Sequence, residues 1–516
     1  MSDKSISNVY AEFLFKNGKT QNVLSPEIII GRGNKADIKI KDSGVRGRHA
    51  VLCVHNGEWI LSPCAGRVLL NQNPIKVPVA IYYGDNITIG STTFKFKEHK
   101  QPQDISSRRK LGPSAPLFFL TLLQAIMCIT LSFRYTGEIN PIMPISFVGL
   151  ILCEWIYFAV AKNIKNSTMF MELCVLYLST VGLAVCSCVA PERLLKQVIC
   201  YVIGFIGYLV FTLFLKSFPI KYPVRLAFMA GSVLLLYITA LFGTEINNSK
   251  NWLSIGKFIF QPSELCKVAF IFVGCITLYT VVLNKKRNWE FIIYSVLCMG
   301  ALALMLDFGA VAIFFVGMIV LLNIRLANPL LTGGICAGFS ALGVTALAIY
   351  PYIVRRFEVW MHAWEHASSS GYQQTRTMIA TASGGLLGVG GGNGYLSNIA
   401  ASETDLVFGI VCEEWGSVMG IAIAFCFVML GLYAYRLAKS TASLFYTCGV
   451  CAAASMIIFQ SSLNIFGSLD ILPLTGVTLI FISCGGTSVI SAWLMMAFYK
   501  AAEISCVEVD GWGKVP

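Results

Sequence analysis

Apolar positions fall into two regimes along this chain. Up to about residue 98 they alternate with polar ones over short runs. Asp37 to Lys41, Asn86 to Ile89 and Thr93 to Lys97 each read apolar, polar, apolar, the period of a half-buried strand. Turn formers punctuate these runs at Asn17 and Gly18, Gly31 to Asn34, Asn56 and Gly57, and Tyr83 to Asp85. Many short strands at regular spacing predict an all-β sandwich. From Pro116 onward the pattern changes to long apolar runs. They cover 116–134, 143–162, 169–189, 194–215, 224–243, 264–284, 290–306, 308–325, 329–350, 406–435, 443–466 and 475–499. Runs of about 20 residues match a hydrocarbon core of roughly 30 Å. The pattern therefore predicts an all-α polytopic membrane region of about twelve helices, in the range ten to twelve, with one broken segment as an alternative over 290–325.

Composition agrees. The 516 residues have a mean hydropathy of +0.69 and 13% charged side chains, which excludes a large soluble enzyme. The expected organisation is a β-sandwich over 1–100, a polar linker at 101–115, the membrane region at 116–500 and a tail at 501–516. Residues 1–110 hold 17 Lys and Arg against 9 Asp and Glu, a formal +8. They contain no apolar run long enough for a signal segment. No aromatic-interleaved basic stripe accompanies that charge, so no nucleic-acid partner is expected. Most of the eighteen cysteines lie inside the apolar runs, and so does the one CxxC pair, Cys448 with Cys451. Neither a disulfide framework nor a metal site is expected.

Loop charge sets an orientation. Arg108 to Lys110, Lys162 and Lys165, Lys216, Lys221 and Arg225, Lys285 to Arg287, Arg325, and Arg436 and Lys439 share one side. That side is expected to be the cytoplasm, with both termini inside. The polar segment 351–405 then faces outward. Arg193, Lys250, Lys257, Arg355, Arg356 and Arg376 are outer cations against this bias, and so candidates to hold an anionic ligand.

Polar residues in apolar surroundings mark candidate chemistry. The 351–405 loop carries Arg355, Arg356, Glu358, Glu365, His366, Arg376, Glu403 and Asp405, and a long polar loop between spans is where chemistry at the membrane face is expected. Its glycine-rich run at 384–394 lacks the Gly-Lys-Ser/Thr of a phosphate loop and reads as a mobile or re-entrant turn. Glu264 and Lys267 are three apart on one helix face, where an ion pair is as good a reading as a site. Asp307 lies between two runs, where it could cap a helix. Glu413 and Glu414 are expected to be buried and to need partners, while Gln460 and Asn464 lie among small residues suited to helix packing.

Two resemblances organise these features. Residues 10–98 resemble a forkhead-associated (FHA) domain through Ile30 to Arg32, Ala36 to Ile38, Val45 to Ala50, Trp59 to Leu61, Asn71, Gly84 with Asp85, and Ile89 with Gly90. The resemblance implies a phosphothreonine protein as partner, with Arg32, Arg46, Arg48, His49 and Asn71 as phosphopeptide residues. The family's serine-arginine pair is replaced by Arg46 and Gly47. A non-phospho docking or structural role is the alternative.

Residues 225–500 resemble the SEDS family, the FtsW/RodA/SpoVE proteins. The matching residues are Trp252, Gln261 to Glu264 with Lys267, Asp307 to Gly309, Gly371 to Gln373, Ser383 to Gly385, Thr404 with Asp405, Glu413 to Gly416, and Pro473 through Ser488. The resemblance implies a glycosyltransferase that polymerises lipid II outside the membrane and works with a class B penicillin-binding protein. No cofactor is required, although a divalent cation could sit at the lipid diphosphate. The implied catalytic candidates are His366, Glu365, Glu403 and Asp405. His366 stands where the family's Trp-x-Asp-Pro pattern has aspartate, and Ala400 replaces a proline. Substrate-binding candidates are Lys250, Trp252, Glu264, Lys267, Arg355, Arg356, Gln373 and Arg376. Asp307, Glu413, Glu414, Gln460 and Asn464 are the intramembrane polar set. A catalytically silent scaffold and a lipid II transporter are the alternatives.

Overall fold

The computed structural model describes residues 11–98 except 16–19, 24–26, 34–35, 41, 43, 56–57, 76 and 83, and then 114–134, 141–162, 168–217, 222–246, 249–256, 258–280, 287–326, 329–441 and 443–510. Lys165, Lys221, Lys257, Lys285, Lys286, the linker at 101–113 and the tail from 511 therefore lie outside the described residues. The chain divides into two compact units. One is built on residues 1–110 with 440–443 and 505–516, and the other on 111–439 with 444–504.

The first unit is the expected all-β sandwich. Its strands are β1 (Ala11–Phe15), β2 (Thr20–Val23), β3 (Glu27–Gly31), β4 (Ile38–Lys39), β5 (Ala50–His55), β6 (Glu58–Pro63), β7 (Val68–Leu70), β8 (Asn73–Ile75), β9 (Val79–Ile81), β10 (Asn86–Ile89) and β11 (Thr92–Glu98). One sheet runs β2-β1-β11-β10-β7-β8, the other β4-β3-β5-β6-β9. The alternation read in the sequence sets the inward faces. Ile87, Ile89, Phe94 and Phe96 from one sheet meet Ile28, Ile30, Leu52, Trp59 and Leu61 from the other in one buried core. Phe13 packs edge-on to Phe94 at 4.8 Å.

The second unit is helical. Its elements are α1 (Ser114–Arg134), α2 (Ile142–Ala161), α3 (Phe170–Val189), α4 (Leu194–Ser217), α5 (Tyr222–Phe242), a small antiparallel sheet of β12 (Thr244–Ile246), β13 (Ser249–Ile255) and β14 (Phe258–Phe260), α6 (Pro262–Thr280), α7 (Arg287–Leu304), α8 (Phe308–Leu326), α9 (Pro329–Ile349), α10 (Pro351–Val359), α11 (Tyr372–Ser383), α12 (Val407–Ser440), α13 (Leu444–Ser468) and α14 (Gly486–Asp510). Eight described helices are long and apolar enough to cross a membrane. The segments 289–304 and 308–324 are shorter apolar helices, and α6 and α14 carry buried charged residues. The chain is a multi-pass membrane protein.

The 290–325 region is two helices, as its two apolar runs predict, rather than one broken segment. The chain reverses at Leu306 (φ 59), and Asp307 Oδ1 accepts the Ala310 N–H at 3.0 Å, capping α8. The run at 475–499 was expected to be a single span, but α14 begins only at Gly486 and 469–485 is irregular. Finally, α12 is broken at Gly416, whose φ of 84 and ψ of 166 are non-helical.

Candidate functional site

The polar loop is built outward from α10. Pro351 opens that helix, and its last turn closes with Trp360 N–H donating to Arg356 O. Met361 then takes φ 64 and turns the chain. Ala363 is fully buried, and its carbonyl accepts the His366 N–H at 3.2 Å. The His366 carbonyl accepts from Ser369 and Gly371 at 2.9 and 3.0 Å, closing a tight turn before α11. Glu365 is exposed and His366 half-buried. Among the described residues, neither side chain makes a hydrogen bond or ion pair. From α11, Gln373 Nε2 donates to Ala400 O at 2.9 Å, tying the helix to the end of the loop, while Arg376 is exposed over the Tyr372 ring at 5.0 Å.

The glycine run packs on the break in α12. Val389 and Gly390 donate to the Glu413 and Glu414 carbonyls at 2.9 and 3.0 Å, and Ser417 donates back to Gly385 O at 2.9 Å. A Cβ on Gly388 (φ 85) would lie 2.3 Å from Glu414 O. The Glu413 carboxylate accepts the Tyr395 and Leu396 N–H groups at 2.9 and 3.0 Å. Backbone amides are thus the partners that its burial demanded. Glu414, beside it, is buried.

Asp405 ends the loop. Its carboxylate faces Gly476, and its carbonyl accepts Asn464 Nδ2 at 3.0 Å. Burial pushes the Asp405 carboxyl up to about 6, and nearby Glu403 adds to this, while a hydrogen bond from Thr404 and the Arg356 charge oppose it. Arg356 also donates to Leu474 O at 2.8 Å. Glu403 pairs with Arg193 at 3.1 Å. Arg355 and Lys250 are exposed, and the Lys250 N–H pairs with Met305 O.

Deeper in the bundle, Lys267 Nζ lies 2.7 Å from Glu264 Oε2 and donates to Gln460 Oε1 at 2.6 Å. Ser491 Oγ donates to the same Glu264 oxygen at 2.9 Å, and Gln460 Nε2 reaches the Thr478 carbonyl and hydroxyl, both at 3.1 Å. This network joins α6, α13 and α14 through the irregular 478 segment. Asp307 Oδ2 accepts Asn251 Nδ2 at 2.8 Å and Gln261 Nε2 at 3.3 Å. Trp252, next to Asn251 on β13, is half-buried.

The candidates therefore form separate groups: the Glu365–His366 turn, Asp405 with Glu403 and Arg356, the Glu264–Lys267–Gln460 network, and Asp307 with the β13 hairpin. Asn251, Thr478 and Ser491 were missed. Thr478 and Ser491 are short polar residues inside an apolar run, Asn251 lies between two runs, and only their role as partners of Gln460, Glu264 and Asp307 could have drawn attention to them.

In the β-sandwich, the loop after β3 meets the loop before β5. Arg32 N–H donates to Arg46 O at 3.0 Å, and Gly33 N–H to Gly47 O at 3.1 Å. Arg32, Arg46 and Arg48 are exposed on these loops. His49 is buried, its Nδ1 accepting the Arg46 N–H at 3.1 Å and its Nε2 lying 3.4 Å from Arg67 O. Asn71 binds Asp85 and the Asn86 amide, fixing a turn.

A family model described as cell cycle protein, FtsW/RodA/SpoVE, matches residues 166–505. The chain belongs to this family. It is 31% identical over 300 residues to a probable peptidoglycan glycosyltransferase FtsW of Nitrosococcus halophilus, covering 55% of this chain and 75% of that relative. It is 31% identical over 340 residues to the one of Saccharophagus degradans, covering 62% and 85%. Among solved structures, the fold matches a chain from a peptidoglycan synthase complex with a TM-score of 0.55 and 21% identity, covering 66% of this chain and 98% of that one. It matches Thermus thermophilus RodA with a TM-score of 0.50 and 21% identity, covering 68% and 100%. The RodA-like helical fold expected from the SEDS resemblance is thus borne out. Residues 15–100 match a second family model, described as the cytoplasmic domain of an inner membrane component of T3SS. Helices α1 and α2 precede the matched FtsW/RodA/SpoVE region.

Proposed function

We propose that this FtsW/RodA/SpoVE protein is a peptidoglycan glycosyltransferase that polymerises lipid II at the outer face of the membrane. The observation that carries the reading is family membership across 166–505, joined to a polar loop that presents Glu365 and His366 on its surface. In glycosyl transfer, the 4-hydroxyl of one lipid II attacks the anomeric carbon of the growing chain, and undecaprenyl diphosphate leaves. The hydroxyl proton needs a base, and a neutral imidazole can accept it. His366 takes this role in our reading, with Glu365 as its neighbour. The exposed cations Arg355, Lys250 and Arg376 are the groups we assign to the diphosphate, where a divalent cation could assist. Glu403 and Asp405, with Arg356, supply a second charged group at the end of the same loop. The Glu264–Lys267–Gln460 network and Asp307 hold the helices beneath it.

Three finer assignments accompany this reading. A class B penicillin-binding protein is the membrane partner. A phosphothreonine protein is the partner of Arg32, Arg46 and Arg48, exposed on adjoining loops where three guanidinium groups suit a dianion. Both termini are cytoplasmic, by the loop-charge asymmetry. Polymerisation of lipid II by the purified chain, compared with His366→Ala, tests the enzymatic reading. Full activity in His366→Ala, in Glu365→Gln and in their double variant would move the base to Glu403 or Asp405. Absence of polymer from the wild type would favour the scaffold, and lipid II flux into sealed vesicles the transporter.

A further inference from the structure

We propose that Trp360 is a positioning residue for glycosyl transfer, stapling the end of α10 to the 469–476 segment and so setting where the Glu365–His366 turn stands. The proposal rests on the reading that this turn carries the base. Trp360 is the residue at which α10 stops, and its indole Nε1 donates to Ile471 O at 2.9 Å. One helical turn earlier, Arg356 donates to Leu474 O at 2.8 Å. The two side chains are four residues apart on one helix face, and they land on two carbonyls of the same strand of chain.

That strand is itself fixed to α13. The Ile471 and Leu472 N–H groups donate to Phe466 O at 2.9 and 3.0 Å, and Asn464 holds Val477 O at 2.8 Å. On the other side of Trp360, the next residue is Met361 at φ 64, a conformation that a non-glycine residue keeps only when its surroundings hold it. Two residues on, buried Ala363 accepts the His366 N–H, and Gly371 packs so closely on the same carbonyl that a Cβ there would lie 2.4 Å away. A continuous set of contacts thus runs from α13 through Ile471 and Trp360 to His366. Asp470 adds to it. Burial pushes the pKa of its carboxyl up, while the nearby Met361 and Ala363 amides and His362 lower it. The residue takes φ 61, so glycine is tolerated there by the backbone.

A residue that only stabilises the fold would lower the yield of active protein and leave the turnover of the folded fraction unchanged. A positioning residue lowers kcat and spares KM. Trp360→Phe keeps the ring and removes the donor, and Asp470→Gly removes the carboxyl without backbone strain. Steady-state polymerisation of lipid II by folded, full-length protein should show kcat reduced roughly three- to tenfold in each variant, with KM within about twofold of wild type. Hydrogen exchange at the Met361–His366 amides should quicken in both. Wild-type kcat in both variants overturns the proposal, whether or not exchange changes, and so does a rise in KM with kcat unchanged. A wild type that makes no polymer overturns the underlying glycosyltransferase reading and the catalytic role with it. Exchange then decides the staple alone, and unchanged protection in Trp360→Phe removes it.

Discussion

Gly416→Ala tests how the glycine run and the break in α12 depend on each other. At φ 84 and ψ 166, Gly416 occupies a region of backbone space that is essentially closed to other residues. That alone costs an alanine on the order of 1–3 kcal/mol. The new methyl would also lie 2.1 Å from the Leu386 carbonyl oxygen and 2.6 Å from the Leu387 nitrogen. Both are backbone atoms, so no side-chain rotation relieves the clash. The run must move away, which breaks the Ser417 and Val418 N–H bonds to Gly385 O and Leu386 O at about 0.5–1.5 kcal/mol each. The sum is roughly 2–6 kcal/mol. Equilibrium unfolding in mixed micelles reads it, with Gly231→Ala as reference. Gly231 lies inside α5 with nothing within 4 Å of its added Cβ, so alanine there should be neutral or stabilising by up to about 1 kcal/mol. Hydrogen exchange should locate the Gly416→Ala loss at 384–394. Equal stability of the two variants would refute the close approach on which this account of the run depends.

Asp405→Asn tests the carboxyl at the end of the loop through stability. The folded Asp405 carboxyl sits near 6 against an ordinary 3.8. Its stabilising contribution is therefore full below about 3.8 and is lost as pH rises through 6. The asparagine variant should be more stable at neutral pH, by up to about 3 kcal/mol, and should lose the pH dependence of unfolding between 4 and 6. A variant that unfolds with the wild-type pH dependence would show that this carboxyl is not the titrating group. Lys267→Met leaves Glu264 buried without its cation and should cost about 3–5 kcal/mol, while Lys267→Met with Glu264→Gln should recover much of that loss. Equal unfolding of single and double variants would contradict the pairing. Cysteine at Ser369, in a background without accessible native cysteines, should react with an impermeant thiol reagent in intact cells. Labelling only after permeabilisation would reverse the orientation.

The sequence conveyed most of the architecture through periodicity. Alternation located β4, β10 and β11, turn formers marked the breaks between strands, and long apolar runs located the main helices. It failed where apolar residues do not imply a helix. Leu479, Ile480, Phe481 and Ile482 are buried, so they read as part of a span, yet their backbone is irregular and Phe481 takes φ 67. Such backbone survives at depth when side chains satisfy it. Here Asn464 takes Val477 O, Gln460 takes Thr478 O, and Ser483 Oγ accepts the Leu479 N–H at 2.8 Å. Gln460 and Asn464 were legible as polar residues in a span, but not as partners of a carbonyl thirteen or more residues away. The site followed the same rule. Asp307 and Glu413 could be found by type and depth. Their actual partners, the Ala310 amide with Asn251 and Gln261 for Asp307 and the Tyr395 and Leu396 amides for Glu413, depend on chain reversals that periodicity does not report.

The central claim is that this chain polymerises lipid II with His366 as the base. The most direct measurement is glycan-strand formation by the purified full-length protein in vesicles, followed against pH for the wild type, His366→Ala and His366→Asp. The account predicts polymer from the wild type and loss of activity in His366→Ala. It also predicts activity in His366→Asp, with an acidic limb moved to lower pH, because a carboxylate stays deprotonated where an imidazole does not. Wild-type rates and an unchanged pH profile in both variants, or no polymer from any of the three, would contradict it.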